Sequence, residues 1–219
     1  MRSASVGVFV MIAFLGGASA VSATTLLTSF PQTGNGAFTL NGSPPFNDAA
    51  GFTLGGTAFN LTSATVEFSA VGIAQFPTSD IAADLYGGTG GPTGTPSGSP
   101  LVSFTIPAGT IAGGANDITM TPASPFTMQA STTYWLVMRA DASVGGNLAV
   151  NSAANPATGA FATYAGMTQD GSLPPQTRQG GNLMFAIDGV PEPGSCCALA
   201  LACGILVPRR RRCGGSARR

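Results

Sequence analysis

Ala64-Thr65-Val66-Glu67-Phe68-Ser69-Ala70-Val71 is the stretch that decides the fold. Ala64, Val66, Phe68 and Ala70 alternate with Thr65, Glu67 and Ser69. A period of two puts one set on an apolar face and the other, with Glu67, toward water. That is a half-buried β-strand. Thr133-Tyr134-Trp135-Leu136-Val137-Met138-Arg139 is the richest run in β-formers and holds the only tryptophan. It reads as a central strand, with Trp135 and Val137 expected on the core face. Working outward, further strands are expected at 26–30, 51–54, 81–86, 101–106, 117–121, 146–150, 160–164 and 183–187. No segment sustains a 3.6-residue apolar period, so no helix is expected in the body.

Turn-formers separate these runs. The longest is Gly87-Gly88-Thr89-Gly90-Gly91-Pro92-Thr93-Gly94-Thr95-Pro96-Ser97-Gly98-Ser99-Pro100. Its glycines and prolines exclude helix, and its prolines exclude a central strand. It is expected to be an exposed loop. About ten short strands at this spacing predict an all-β domain, an antiparallel β-sandwich of jelly-roll-like form. No second domain and no internal repeat is visible.

The two ends have a different character. Arg2 precedes an apolar stretch from Val6 to Leu15, interrupted by Gly7. Ala18-Ser19-Ala20 and Val21-Ser22-Ala23 follow, both of the small-x-small form that signal peptidase accepts. Cleavage after Ala20 or after Ala23 fits equally; an uncleaved N-terminal anchor is the alternative. At the other end, Val190-Pro191-Glu192-Pro193-Gly194-Ser195 leads into an apolar run from Cys196 to Val207. Pro208 and Arg209, Arg210, Arg211 and Arg212 close it. An apolar run followed by arginines can enter a bilayer and hold its far end on the cytoplasmic side. Twelve residues make a helix of about 18 Å, against a hydrocarbon core of about 30 Å. Transient presentation to a membrane protease suits that length better than stable anchoring. The chain therefore divides into a signal peptide (1–23), an exported body (24–189), a sorting or anchor segment (190–212) and a basic cytoplasmic tail (213–219).

Charge follows the same division. Seven of the nine basic residues lie in the end segments, which leaves Arg139 and Arg178 in the body. Its acids are Asp48, Glu67, Asp80, Asp84, Asp117, Asp141, Asp170 and Asp188, so the body is near −6. No clustered Lys or Arg offers a surface to nucleic acid or anionic lipid. All four cysteines, Cys196, Cys197, Cys203 and Cys213, sit in the tail. The body has no disulfide framework, no thiol chemistry and no cysteine metal site. Cys196 and Cys197 either carry a lipid or are small apolar residues of the membrane segment.

The three-part tail resembles the PEP-CTERM sorting signal of bacterial exported proteins. That resemblance implies that Pro191, Glu192 and Pro193 are read by an exosortase-like membrane protease, with Arg209 to Arg212 as the basic stop. The body resembles the choice-of-anchor β-domains that accompany such tails, most closely the type called choice-of-anchor R. Asp84-Leu85-Tyr86, the Gly/Pro loop, Leu101-Val102-Ser103-Phe104 and Thr133-Tyr134-Trp135-Leu136-Val137 carry that likeness. It implies a surface location and a β fold, and no reaction.

The chain has no histidine and no lysine. That removes Ser-His-Asp hydrolysis, His-ligated metals and Schiff-base chemistry. A carboxylate pair is what remains for an enzyme. Asp80 and Asp84 are the nearest such pair, and the bland reading is two solvated acids. Calcium would need the scattered Asp80, Asp84, Asp141 and Asp170 brought together by loops. Glycan binding through exposed aromatics would use Tyr86, Trp135 or Tyr164, residues whose commoner fate in apolar strands is core packing. The expectation is no catalytic site, no metal and no cofactor. The protein is expected to be an exported surface or matrix protein with a structural or adhesive role. Its expected partners are signal peptidase and an exosortase-like protease, with transient membrane contact. Extracellular polysaccharide is the alternative partner.

Overall fold

A computed structural model describes residues 22–32, 34–40, 47–76, 81–91, 93–139 and 147–192. Among them there is no helix, and the strands form two antiparallel sheets. In chain order the strands are β1 (Thr24–Thr28), β2 (Gly34–Thr39), β3 (Asn47–Leu54), β4 (Phe59–Phe76), β5 (Ile81–Gly88), β6 (Pro96–Ile106) and β7 (Ile111–Met120). They continue as β8 (Thr127–Met128), β9 (Thr133–Arg139), β10 (Asn147–Ala153), β11 (Ala162–Asp170), β12 (Arg178–Gln179) and β13 (Phe185–Pro191).

The first sheet is organised by β4, the strand that the alternating segment predicts. One side of β4 pairs with β13 and, further along, with β10; the other side pairs with β8 and β7. β1 extends the sheet beyond β13, and β2 beyond β10. Ala64, Val66 and Phe68 are buried in the core, and Glu67 lies on the opposite face beside Asn151, whose amide donates to it. That opposite face is polar: Thr25 and Ser63 donate to Asp188 at 2.7 and 2.9 Å, and the Thr65 and Thr119 hydroxyls meet at 2.9 Å.

The second sheet runs β12-β11-β3-β9-β5-β6. One cluster of buried side chains draws on both sheets. It takes Phe59, Val66, Phe68, Leu148 and Phe185 from the first, and Phe52, Leu85, Leu136 and Met138 from the second. Burial of this much apolar surface is the main force holding together a body that contains no cysteine.

The central strand β9 corrects one expectation. Tyr134, Leu136 and Met138 face the shared core, while Trp135 and Val137 face away from it. They are nonetheless fully buried, in a second small cluster with Ala49 and Tyr86. The strand is apolar on both faces because both are covered, a pattern from which periodicity cannot choose the core side.

The Gly/Pro segment is the second correction. It is not all loop: β5 runs on to Gly88, and β6 begins at Pro96, with Ser97 opposite Gly87. β6 is the edge of its sheet, where a proline's missing N–H costs no ladder bond. β2 and the two-residue strands β8 and β12 had no clear signal, being short and rich in glycine or polar residues.

Candidate functional site

The Pro191-Glu192-Pro193 segment, the expected sorting motif, starts where the first sheet stops. Pro191 is the last residue of β13 and lies opposite Phe59. The Glu192 N–H donates to the Ala58 carbonyl at 3.1 Å, which closes the edge of the ladder. Both residues are half-buried. Pro193, the cysteines and Arg209 to Arg212 lie outside the described residues, as does the signal segment through residue 21. No helix among the described residues is long and apolar enough to cross a membrane.

Of the carboxylates, Asp80 and Asp141 also lie outside the described residues. Asp84 is fully buried and faces away from the shared core. Arg139 donates from Nε to its Oδ2 at 2.8 Å, and its Oδ1 has no hydrogen-bond partner. An acid held this way is tied to a cation rather than opposed to a second acid. No group of acids that could hold a metal ion is present among the described residues.

Asp170 has a different task. Its Oδ1 accepts from the Ser172 N–H at 2.7 Å and from the Ser172 hydroxyl. Its Oδ2 accepts from the N–H groups of Gln176 at 2.8 Å and Thr177 at 2.7 Å. Burial pushes the carboxyl up, but these hydrogen bonds outweigh it and hold it down to about 2. The carboxylate thus folds residues 171–177 into a compact strap between β11 and β12.

The strap lies across the outward face of the second sheet. At one margin Asn47 Nδ2 on β3 donates to the Ser172 carbonyl at 2.7 Å. At the other, Gln176 Nε2 donates to the Pro96 carbonyl on β6 at 2.9 Å. Between β3 and β6 lie β9 and β5, which carry Val137, Trp135, Asp84 and Tyr86 on that outward face. Pro175, near its middle, is buried, while Leu173 is 50% exposed.

On that face the indole of Trp135 lies flat on the sheet. A Cβ on Gly51 would stand 2.9 Å from Cδ2, Cε2 and Cε3 of Trp135, and one on Gly88 would stand 2.7 Å from Cδ1. Equal distances to three ring atoms place the ring face over Gly51. Trp135 Nε1 donates to the Thr89 carbonyl at 3.2 Å. Tyr86 is the cross-strand neighbour of Trp135. Burial, then the nearby Asp84 charge, raises the Tyr86 hydroxyl above its ordinary value, and Arg139 opposes that. Tyr164, the third candidate aromatic, instead packs its ring near Phe185 and donates its hydroxyl to the Gly181 carbonyl at 3.0 Å.

One transverse row crosses this face: Thr168, Ala49, Val137, Asp84 and Ser103 are successive register partners. Thr168 is fully buried, and its Oγ1 has no hydrogen-bond partner. Two unsatisfied buried oxygens therefore flank an apolar floor. They belong to strands three apart, about 14 Å between backbones at the usual spacing. Asp84 is among the candidate acids of the sequence; Thr168 gave no signal there.

Asp48 is a separate case. It sits on the core side of β3, fully buried, with neither carboxylate oxygen hydrogen-bonded. Burial raises it to about 7; the Gln169 side chain nearby lowers it slightly without meeting hydrogen-bond geometry. Two recesses open elsewhere, one of about 140 Å³ beside Gly55 and Phe161 and one of about 330 Å³ beside Asn60 and Pro122. Neither is lined by an acid.

No protein-family model, no curated protein and no solved structure matches the chain.

Proposed function

We propose that the chain is an exported surface or matrix protein of β-sandwich form. It has a structural or adhesive role, and it is delivered by a C-terminal segment that an exosortase-like protease reads and removes. The observation that carries this reading is the order of the tail: Pro191-Glu192-Pro193, an apolar run, then Arg209 to Arg212. The shared core between two antiparallel sheets supports the sandwich form, and the connections between sheets are compatible with a jelly roll. The end of β13 at Pro191 supports a cut beyond it. The backbone through Glu192 is engaged in the sheet, so a cut before that residue would require the strand to open. Export, the surface location and the protease are inferred from the ends of the chain.

The test is intact-mass spectrometry of the protein recovered from its native surface, with and without Glu192→Ala. A product ending at or shortly after Pro193, lost in the variant, is the expected result. An intact C-terminus in both overturns the sorting reading and leaves 196–207 as a short anchor. Polysaccharide is the second reading of the partner, favoured by the Trp135 and Tyr86 pair on one outward face.

A further inference from the structure

We infer that the outward face of the second sheet beneath residues 171–177 is a binding site for a neutral polysaccharide chain, which the strap covers as a lid. This deepens the polysaccharide reading and needs neither the sorting tail nor its processing.

The floor is built for such a ligand. An indole lying flat on Gly51 and Gly88, with Tyr86 beside it, offers a planar apolar surface of the size of a sugar ring. Most large side chains on a sheet stand away from it; this one is laid down by two glycines whose missing Cβ atoms make the room. On either side of the neighbouring Ala49 and Val137 stand a free acceptor, Asp84 Oδ1, and a free hydroxyl, Thr168 Oγ1. Both are fully buried, and a buried polar group without a partner is costly. A polyhydroxylated chain supplies donors and acceptors together and would satisfy both. The pairing of Asp84 with Arg139 leaves the floor near neutral, which disfavours strongly charged ligands.

The cover has the build of a lid. It is rigid within itself, because one carboxylate takes four hydrogen bonds from its backbone and Ser172. Asp170 is the last residue of β11, so the same bonds hinge the strap on that strand. Between its ends, the side-chain tethers are the two amides of Asn47 and Gln176, each on a carbonyl at the strap's margin. A unit that is stiff inside, hinged on β11 and tied elsewhere by two amides swings as one body. While it is closed, apparent affinity is reduced by the fraction of molecules that are open.

Trp135 is the only tryptophan, so its fluorescence reports on the floor directly. The full-length protein and its Asn47→Ala/Gln176→Ala variant would be compared by acrylamide quenching and by titration with cellohexaose and mannohexaose. The double variant is expected to be quenched several-fold more readily, with an unchanged melting profile. One of the two hexasaccharides is expected to shift its emission at an apparent Kd at least tenfold below that of the wild type. Adding Thr168→Val, which keeps the shape and removes the hydroxyl, is expected to weaken that binding about fivefold; a strap that only covers a small core would leave it unmoved. Unchanged quenching in the double variant, no response to either hexasaccharide, or no effect of Thr168→Val overturns the proposal. If the double variant does not fold, hydrogen exchange in the wild type decides. Faster exchange at the Trp135 indole N–H, which lies on the floor, is expected with millimolar hexasaccharide, and unchanged exchange overturns the lid.

Discussion

Asp48 is the residue at which burial and charge conflict most openly. Its proton is held to about pH 7 in the folded protein, because the ionised form would lose its water with no partner to replace it. The unfolded chain releases that proton near the ordinary aspartate value of 3.8. Between these values the folded state binds more protons than the unfolded state. Stability therefore falls as pH rises from about 4 to 7 and is level on either side. Asp48→Asn removes this dependence and is expected to stabilise the protein at pH 8 by on the order of 2–4 kcal/mol. Urea unfolding of both proteins at pH 4.5 and 8 checks it; a variant that loses stability equally at both would show that the carboxylate has a partner. Gly51 makes a second test. An alanine there would meet the face of Trp135, so Gly51→Ala is expected to cost about 1–3 kcal/mol and to shift the tryptophan emission. Gly56, with open space around it, serves as the control, where Gly56→Ala should stay within about 0.5 kcal/mol.

At the scale of the element, the strap depends on Asp170. Its carboxyl is depressed, so the hydrogen bonds it accepts are fully present above about pH 4 and are lost only as pH falls through about 2. The strap is thus insensitive to pH in any ordinary environment. Asp170→Ala is expected to raise hydrogen exchange at Gln176 and Thr177 by at least tenfold while leaving the β4 and β13 amides protected; equal exchange in variant and wild type would show that other contacts hold the segment. The sequence carries part of this. Asp170-Gly171-Ser172 has the look of a turn whose aspartate bonds its own backbone, and Pro174-Pro175 excludes regular structure. Which face the strap covers was not legible, because that depends on where β3 and β6 lie relative to β11. The same limit applies to Trp135 and Val137. Their burial was legible from residue type, but their side of the sheet was not, since β9 is apolar on both faces.

For the whole molecule, β13 is the closing strand, paired with β1 on one side and β4 on the other. A chain ending at Glu192 keeps every one of those bonds. It is expected to melt within about 2 °C of a longer form, whereas a chain ending at Met184 loses β13 and is expected not to fold. Differential scanning calorimetry of the two truncations checks this. It also tests whether the body survives removal of the tail, as sorting requires.

The sequence by itself determined that the body is made of strands, with no helix among its described residues, and that its stability comes from an apolar core rather than disulfides. These follow from local properties: alternation, β-branched and aromatic residues, turn-formers and the placement of cysteine. It also determined the order of the tail, which is a one-dimensional pattern. Only the tertiary structure decided that Trp135 and Tyr86 share an outward face, and that Asp84 meets Arg139 fifty-five residues away. The unpaired oxygens of Thr168 and Asp84 likewise fall in one row only through strand register. Register and sheet order join residues distant in the chain, and they are settled by the summed fit of two sheets on one core, which no short segment contains.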